Sequence, residues 1–270
     1  MANALPVSDM QSASVDRAAQ LLHQAKLAKR AIARLPGDCE PRTLLDGYAI
    51  QKEGIKLAQD HLIGWKVGCI SPESQRRAGT TEPFSGPILR RDLYETGCDI
   101  SPDAYFTCAF QVEFAFRLAR DLPLQDAPFT LAQVRGAIGK VVPALEIADS
   151  RFIDSSIIDA PGLIADAGKA GAFIIGPTEL GLDDIDLVNQ EVTLRINGKE
   201  VARGSGKEVL GDPTRSLLWL ANSMATRGEY LREGQLISSG TCTGSSMGKP
   251  GDYAIADYGK LGSIEVRLST

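Results

Sequence analysis

Residues Phe110 to Leu118 alternate without a break. Phe110, Val112, Phe114, Phe116 and Leu118 fall on one side of an extended chain, and Gln111, Glu113, Ala115 and Arg117 on the other. A strand this apolar on one face lies on a core. Its other face presents an amide and a carboxylate two residues apart, about 6 to 7 Å along the strand. Some thirty residues on, Val141-Val142-Pro143-Ala144-Leu145-Glu146-Ile147-Ala148 is an apolar run with one charge inside it. A carboxylate embedded there is costly unless a cation, a donor or a metal meets it. Two readings stand side by side. In one, Gln111, Glu113 and Glu146 converge on a single hard metal ion. In the other, they form a solvated polar face, with a salt bridge from Glu146 to an arginine.

Histidine and cysteine usage limits the metal chemistry. The two histidines, His23 and His61, lie in helix-like sequence and read as surface or satisfied side chains, which weakens a zinc site or a histidine-based triad. Ligands that are mostly oxygen select magnesium, manganese or calcium. The five cysteines are scattered without a CxxC and read as reduced thiols of a cytosolic protein. A net charge of -5, with no block of like charges, argues against a nucleic-acid surface. No apolar run reaches the length of a membrane span, and Met1 to Pro6 lacks the basic flank and apolar region of a secretory signal.

Along the chain, residues 1 to about 13 are small and polar and are expected to be mobile. Ser14 is placed to cap a helix running to Leu35 and ended by Pro36-Gly37, and a second helix fits residues 43 to 62, broken by Gly64. The sequence therefore divides into a helical lobe over 1–63 and a second domain over 64–270. Gly64 to Ile70 reads as a short strand carrying Lys66, and Ser71-Pro72-Glu73 opens a helix closed by Gly79. Residues 83–86 read as a loop and 87–94 as a strand. Thr130 caps a helix to Gly139, residues 151–163 are irregular, and Ile164 to Gly171 is a tight loop of small residues. Asn197-Gly198 turns a hairpin, and Asp212 caps a helix over 213–226. Strands follow at 236–239, 253–257 and 263–268. Helices first and strands later give an α+β class. The Gly240 to Ser246 loop lacks P-loop spacing, Gly204-Ser205-Gly206 lacks a Rossmann context, and Ser205 lacks a histidine partner.

The order Gly64-Trp65-Lys66-Val67-Gly68, Phe110 to Leu118 ending at Arg120-Asp121-Leu122-Pro123, Pro143-Ala144-Leu145-Glu146-Ile147 with Ser150-Arg151, Ile164-Ala165-Asp166, Gly211-Asp212-Pro213 and Ser239-Gly240-Thr241 resembles the 2-keto-4-pentenoate hydratase branch of the fumarylacetoacetate hydrolase superfamily. The resemblance spans roughly Leu44 to the C-terminus. It implies a helical N-terminal region on a β-rich domain, a divalent metal and homo-oligomers. The family's Glu-x-Glu and later Glu map onto Gln111, Glu113 and Glu146, so an uncharged amide carbonyl stands where the first carboxylate is usual. Its Asp-Asn-x-Ser loop maps onto Asp166 to Lys169, with Ala167 and Lys169 in place of Asn and Ser. Lys66 matches the active-site lysine. The resemblance thus implies Lys66, Asp166 and Lys169 as catalytic residues and Ser71, Gly240 and Thr241 at the substrate. It implies Mg2+ or Mn2+, more weakly held than with three carboxylates, and a 2-oxo or 2-hydroxy-dienoic acid to which water is added. The rivals are decarboxylation of a 2-oxo dioic acid such as 4-oxalocrotonate, hydrolysis of an acylpyruvate, and a catalytically weak paralogue that acts as a binding partner.

Overall fold

The computed structural model describes residues 8–270, so the mobility expected of the first residues falls largely outside the described part of the chain. Helix α1 (Ser12–Ala28) starts earlier than Ser14 would set it, after Gln11, which makes no side-chain cap. It ends at Lys29, whose φ of 50° turns the chain left-handed, well short of Pro36. The backbone that would have continued the helix instead bridges to a distant segment: Ile32 N donates to Arg151 O, and Ile153 N to Ile32 O, both at 2.9 Å. Helix α2 (Leu44–Ala58) is set by Thr43, which exchanges a reciprocal cap with Asp46. It stops at left-handed Gln59, which leaves Leu62 free to begin strand β1 (Leu62–Gly68). Gly64 is therefore no breaker. It sits inside β1, where a Cβ would lie 1.9 Å from Leu236 O of the neighbouring strand.

Helix α3 (Pro72–Ala78) follows its Ser71 cap and closes at Gly79, as the sequence indicates. Strand β2 (Phe84–Leu89) occupies the expected loop at 83–86, and a 3-10 turn at Arg90–Asp92 cuts the expected strand at 87–94 and leaves only β3 (Leu93–Glu95) beyond it. Strand β4 (Cys98–Ile100) precedes β5 (Ala109–Leu118). Helix α4 (Leu131–Arg135), shorter than expected, leads into β6 (Ile138–Ala148). Asp159 caps α5 (Ala160–Ala165) inside the stretch expected to be irregular. Then come β7 (Ala172–Ile175), the hairpin β8 (Glu191–Ile196) and β9 (Lys199–Ser205), α6 (Thr214–Thr226), β10 (Leu236–Thr241), β11 (Ser246–Met247), β12 (Tyr253–Asp257) and β13 (Ser263–Leu268).

The class is α+β, built on two sheets. The larger runs β2-β1-β10-β5-β6-β7-β3, with β11 on the end of β5; the smaller runs β4-β13-β12-β8-β9. The apolar face of β5 joins side chains of the smaller sheet, such as Leu194, Ala256 and Ile264, and Leu217, Leu220 and Met224 of α6 in one buried core. Phe114 meets Tyr258 edge to face at 5.8 Å on this seam, and the Tyr258 hydroxyl donates to Ala144 O. On the other side of the chain α1 and α2 share a core with α5, Phe84 and Phe152, so the N-terminal helices are closed by later elements.

Candidate active site

The antiparallel register of β5 and β6 sets Gln111 opposite Glu146 and Glu113 opposite Ala144. Residues opposite one another project to the same face, so all three polar side chains leave the sheet together. On the far side of β5, the pairing with β10 slips between Ser238 and Thr241, at Gly240, whose φ is 93°. The slip aims the Gly240 N–H at Glu113 Oε2, 3.2 Å away, and the Ser238 hydroxyl donates to the same oxygen. A Cβ on Gly240 would meet Val67 O at 2.9 Å. Strand β1 lies parallel to β10 with Lys66 opposite Ser238, so Lys66, Ser238, Glu113 and Glu146 gather on one face of four neighbouring strands. Gly68 leaves room for the lysine: a Cβ there would stand 3.1 Å from Lys66 Nζ.

The cluster is buried and short of partners. Glu146 is 0% exposed, Glu113 1% and Lys66 3%. Lys66 Nζ stands 3.2 Å from Glu146 Oε1, an ion pair without hydrogen-bond alignment. Three carboxylate oxygens, Glu113 Oε1 and both of Glu146, are buried without a hydrogen-bond donor among the described residues. Burial pushes Glu113 up to about 8, reinforced by the neighbouring charge of Glu146. Glu146 is also raised by burial, against the opposing pull of Lys66. Orphaned oxygens of this kind are rare in folded proteins and call for a counter-ion.

Gln111 is half-buried beside them, and its Nε2 donates to Ser245 Oγ at 2.8 Å. That bond ties the loop after β10 to β5 and leaves the amide carbonyl oxygen without a donor among the described residues. Two carboxylates and one amide explain why no three His, Cys, Asp or Glu side chains gather as a metal group among the described residues. The donor set nevertheless suits a hard divalent cation: three side chains, all oxygen donors, two of them charged.

The other sequence-derived residues fall elsewhere. Asp166, 0% exposed, accepts from Ser150 Oγ at 2.7 Å, from Arg151 N at 3.1 Å and from the Arg151 guanidinium, so its carboxylate is spent on Ser150 and Arg151. The structure therefore makes it the clamp of the turn that follows, Ala167–Lys169. In that turn three successive residues are left-handed, with φ of 54°, 61° and 63°. The two that are not glycine cost on the order of 1 kcal/mol each. The Ser71 hydroxyl is used in the cap of α3, where it accepts from Ser74 N at 3.1 Å. The Thr241 hydroxyl donates to Gly244 O at 2.9 Å. Gly240 serves Glu113 directly. Ser238 escaped the sequence reading. Its signal was a polar Ser238-Ser239 pair inside an otherwise apolar strand, which reads equally well as a strand end.

Residues 101–269 match the family model described as fumarylacetoacetate (FAA) hydrolase C-terminal. The chain is 32% identical to the 2-oxo-hept-4-ene-1,7-dioate hydratase of Escherichia coli over 93% of its length and 96% of that protein's. It is 31% identical to a 2-keto-4-pentenoate hydratase of Paraburkholderia xenovorans (strain LB400), over 94% of this chain and 95% of that protein. The 4-oxalocrotonate decarboxylase of Pseudomonas putida G7, solved with magnesium and adipate, superposes with a TM-score of 0.91 at 26% identity, covering 97% of this chain and 99% of that one. With the family model covering more than half of its residues, the chain belongs to the fumarylacetoacetate hydrolase family.

Proposed function

We propose that the protein is a hydro-lyase that adds water to a small 2-hydroxy-dienoic or 2-oxo-enoic acid, assisted by Mg2+ or Mn2+ held by Glu113, Glu146 and the carbonyl oxygen of Gln111. The observation that carries this reading is the set of three buried carboxylate oxygens without donors. A divalent ion bound there would supply Lewis-acid stabilisation of the negative charge that develops on the keto oxygen of the 2-oxo acid. The chain's own groups do the rest. Lys66, fixed by Glu146 at 3.2 Å, is placed to neutralise the substrate carboxylate and to hold or move a proton. Ser238 and the Gly240 N–H fix the orientation of Glu113. The Gln111–Ser245 bond ties the loop at 242–245 to β5 beside Glu113. The hydratases among its relatives support this reading over their nearly full lengths. The superposition on a decarboxylase favours a second reading, loss of carbon dioxide from a 2-oxo dioic acid through the same electron sink. Product analysis, hydrated acid or carbon dioxide, separates the two.

The test is calorimetric titration of magnesium and manganese into chelator-treated protein, with and without oxalate, a non-reactive stand-in for the bidentate 2-oxo acid. Metal is expected to bind, and to bind more tightly with oxalate present. Gln111→Glu adds a third carboxylate and is expected to tighten metal binding roughly 10- to 100-fold, within the range that ligand charge sets for hard cations. Absence of metal uptake in the natural protein together with uptake in Gln111→Glu would remove metal-assisted catalysis and leave the non-catalytic paralogue.

A further inference from the structure

Lys169 has no ion pair and no side-chain hydrogen bond among the described residues, yet it is half-buried. The backbone places it at the site. Gly86 is the cross-strand partner of Lys66, and the turn before Lys169 lies on it: a Cβ at Gly86 would meet Ala167 O at 2.0 Å and Gly168 Cα at 3.2 Å. On its other side, Lys169 O accepts from Asp149 N at 3.0 Å, just beyond the end of the strand that carries Glu146. Lys169 is thus bracketed by the partner of Lys66 and the strand of Glu146. Burial and then the neighbouring Lys66 lower the pKa of Lys169. An approaching anion acts in the opposite direction and favours the charged ammonium.

Two features of this chain move the charge of the site the same way. Gln111 supplies a ligand oxygen without a negative charge, and Lys169 adds a positive one. With a divalent ion bound, Lys66, Lys169 and the ion face Glu113 and Glu146; Asp166 and Arg77, which also act on Lys169, are paired with Arg151 and Glu73, so two positive charges stay unmatched. A 2-oxo monocarboxylate answers one of them. A 2-oxo dicarboxylate answers both.

We infer that Lys169 is a specificity-determining residue that receives the distal carboxylate of a 2-oxo dioic substrate. This rests on the metal-assisted reading above and names the tail of its substrate. Carboxylate–ammonium contacts in a half-buried site are charge-assisted and partly shielded from water, so the second carboxylate adds affinity there that it would not add at a surface.

The experiment compares 2-oxoadipate with 2-oxohexanoate, acids of equal chain length that differ only in the terminal carboxylate, by calorimetry on magnesium-loaded protein. Oxalate is the control for the metal end. The dicarboxylate is expected to bind about tenfold more tightly, one charge-assisted contact's worth. Lys169→Asn removes the charge with a residue that tolerates a left-handed backbone, and is expected to bring the two acids to near equality while 2-oxohexanoate binding holds. Lys169→Arg keeps the charge and is expected to keep the preference. Equal affinities in the natural protein, or a preference that survives Lys169→Asn, overturn the inference while oxalate binding leaves the metal reading intact. Failure of magnesium and oxalate to bind overturns the metal reading, and this inference with it.

Discussion

Glu113→Gln is expected to abolish magnesium uptake and lower turnover by roughly a thousandfold, while it makes the metal-free protein more stable at pH 8. The two effects have one cause. Glu113 is buried beside Glu146, and its folded-state pKa is pushed up to about 8, against an unfolded value of about 4.3. The folded chain therefore binds more protons than the unfolded one across that window. The stability tied to this group is fully present below about pH 4.3 and is lost as pH rises towards 8. Glutamine copies the protonated carboxyl in shape and does not titrate. Its carbonyl can keep the bonds from Ser238 and Gly240, and its amide group takes the place of the unpartnered Glu113 Oε1. Because the two carboxyl groups titrate together, only part of the full linkage belongs to Glu113. A few kcal/mol remain, equivalent to a rise of about 5 °C or more in Tm at pH 8 and little change at pH 5. Thermal unfolding in chelator at the two pH values measures this. A variant that unfolds below the natural protein at pH 8 contradicts the account of Glu113 as a destabilising group kept for the cation. Added magnesium should reverse the order, since it stabilises only the natural protein.

The cluster of site residues was partly legible because strand alternation is a strong local signal. The period of two in Phe110 to Leu118 put Gln111 and Glu113 on one face, and the single charge in the run at 141–148 singled out Glu146. The β5–β6 register then sets them side by side. Lys66 was legible only through its glycine-flanked strand, since its placement depends on the parallel pairing of β1 with β10, some 170 residues later, which no local pattern encodes. The misread elements share a cause. Gly64 and Gly86 were taken as breaks or loop residues, yet both are strand positions where another backbone approaches too closely for a Cβ. A glycine that marks such an approach looks the same in sequence as one that ends an element. Likewise nothing local told that Ile32 would bridge Phe152 and draw the chain out of α1. Asp166 was read as catalytic from the family resemblance of its loop; the partner that takes its charge, Arg151, lies fifteen residues upstream.

Asp166→Asn is expected to cost about 3 to 5 kcal/mol, on the order of 10 °C in Tm, because it leaves the Arg151 guanidinium buried without its counter-charge. Arg151 is 5% exposed and bonds Asp166 twice through its side chain, once to the carboxylate and once to the main-chain oxygen. Asparagine retains an acceptor for the Ser150 hydroxyl or for the Arg151 N–H, so shape is kept and charge is the main change. Arg151→Lys keeps a charge but loses the planar fork, and should fall between the two. The functional consequence divides the site by what holds it. Glu113 and Glu146 sit on paired strands and do not depend on the clamp, so magnesium affinity should hold within about threefold, well under the tenfold that 1.4 kcal/mol represents. The left-handed turn at 167–169 is strained and depends on the clamp for its shape, so amide hydrogen exchange over 167–170 should quicken, and with it any discrimination that Lys169 provides should weaken. A Tm within 2 °C of the natural protein would show that the pair is not worth its burial. Loss of magnesium binding in step with the turn would show that the metal ligands are not held by the sheet alone.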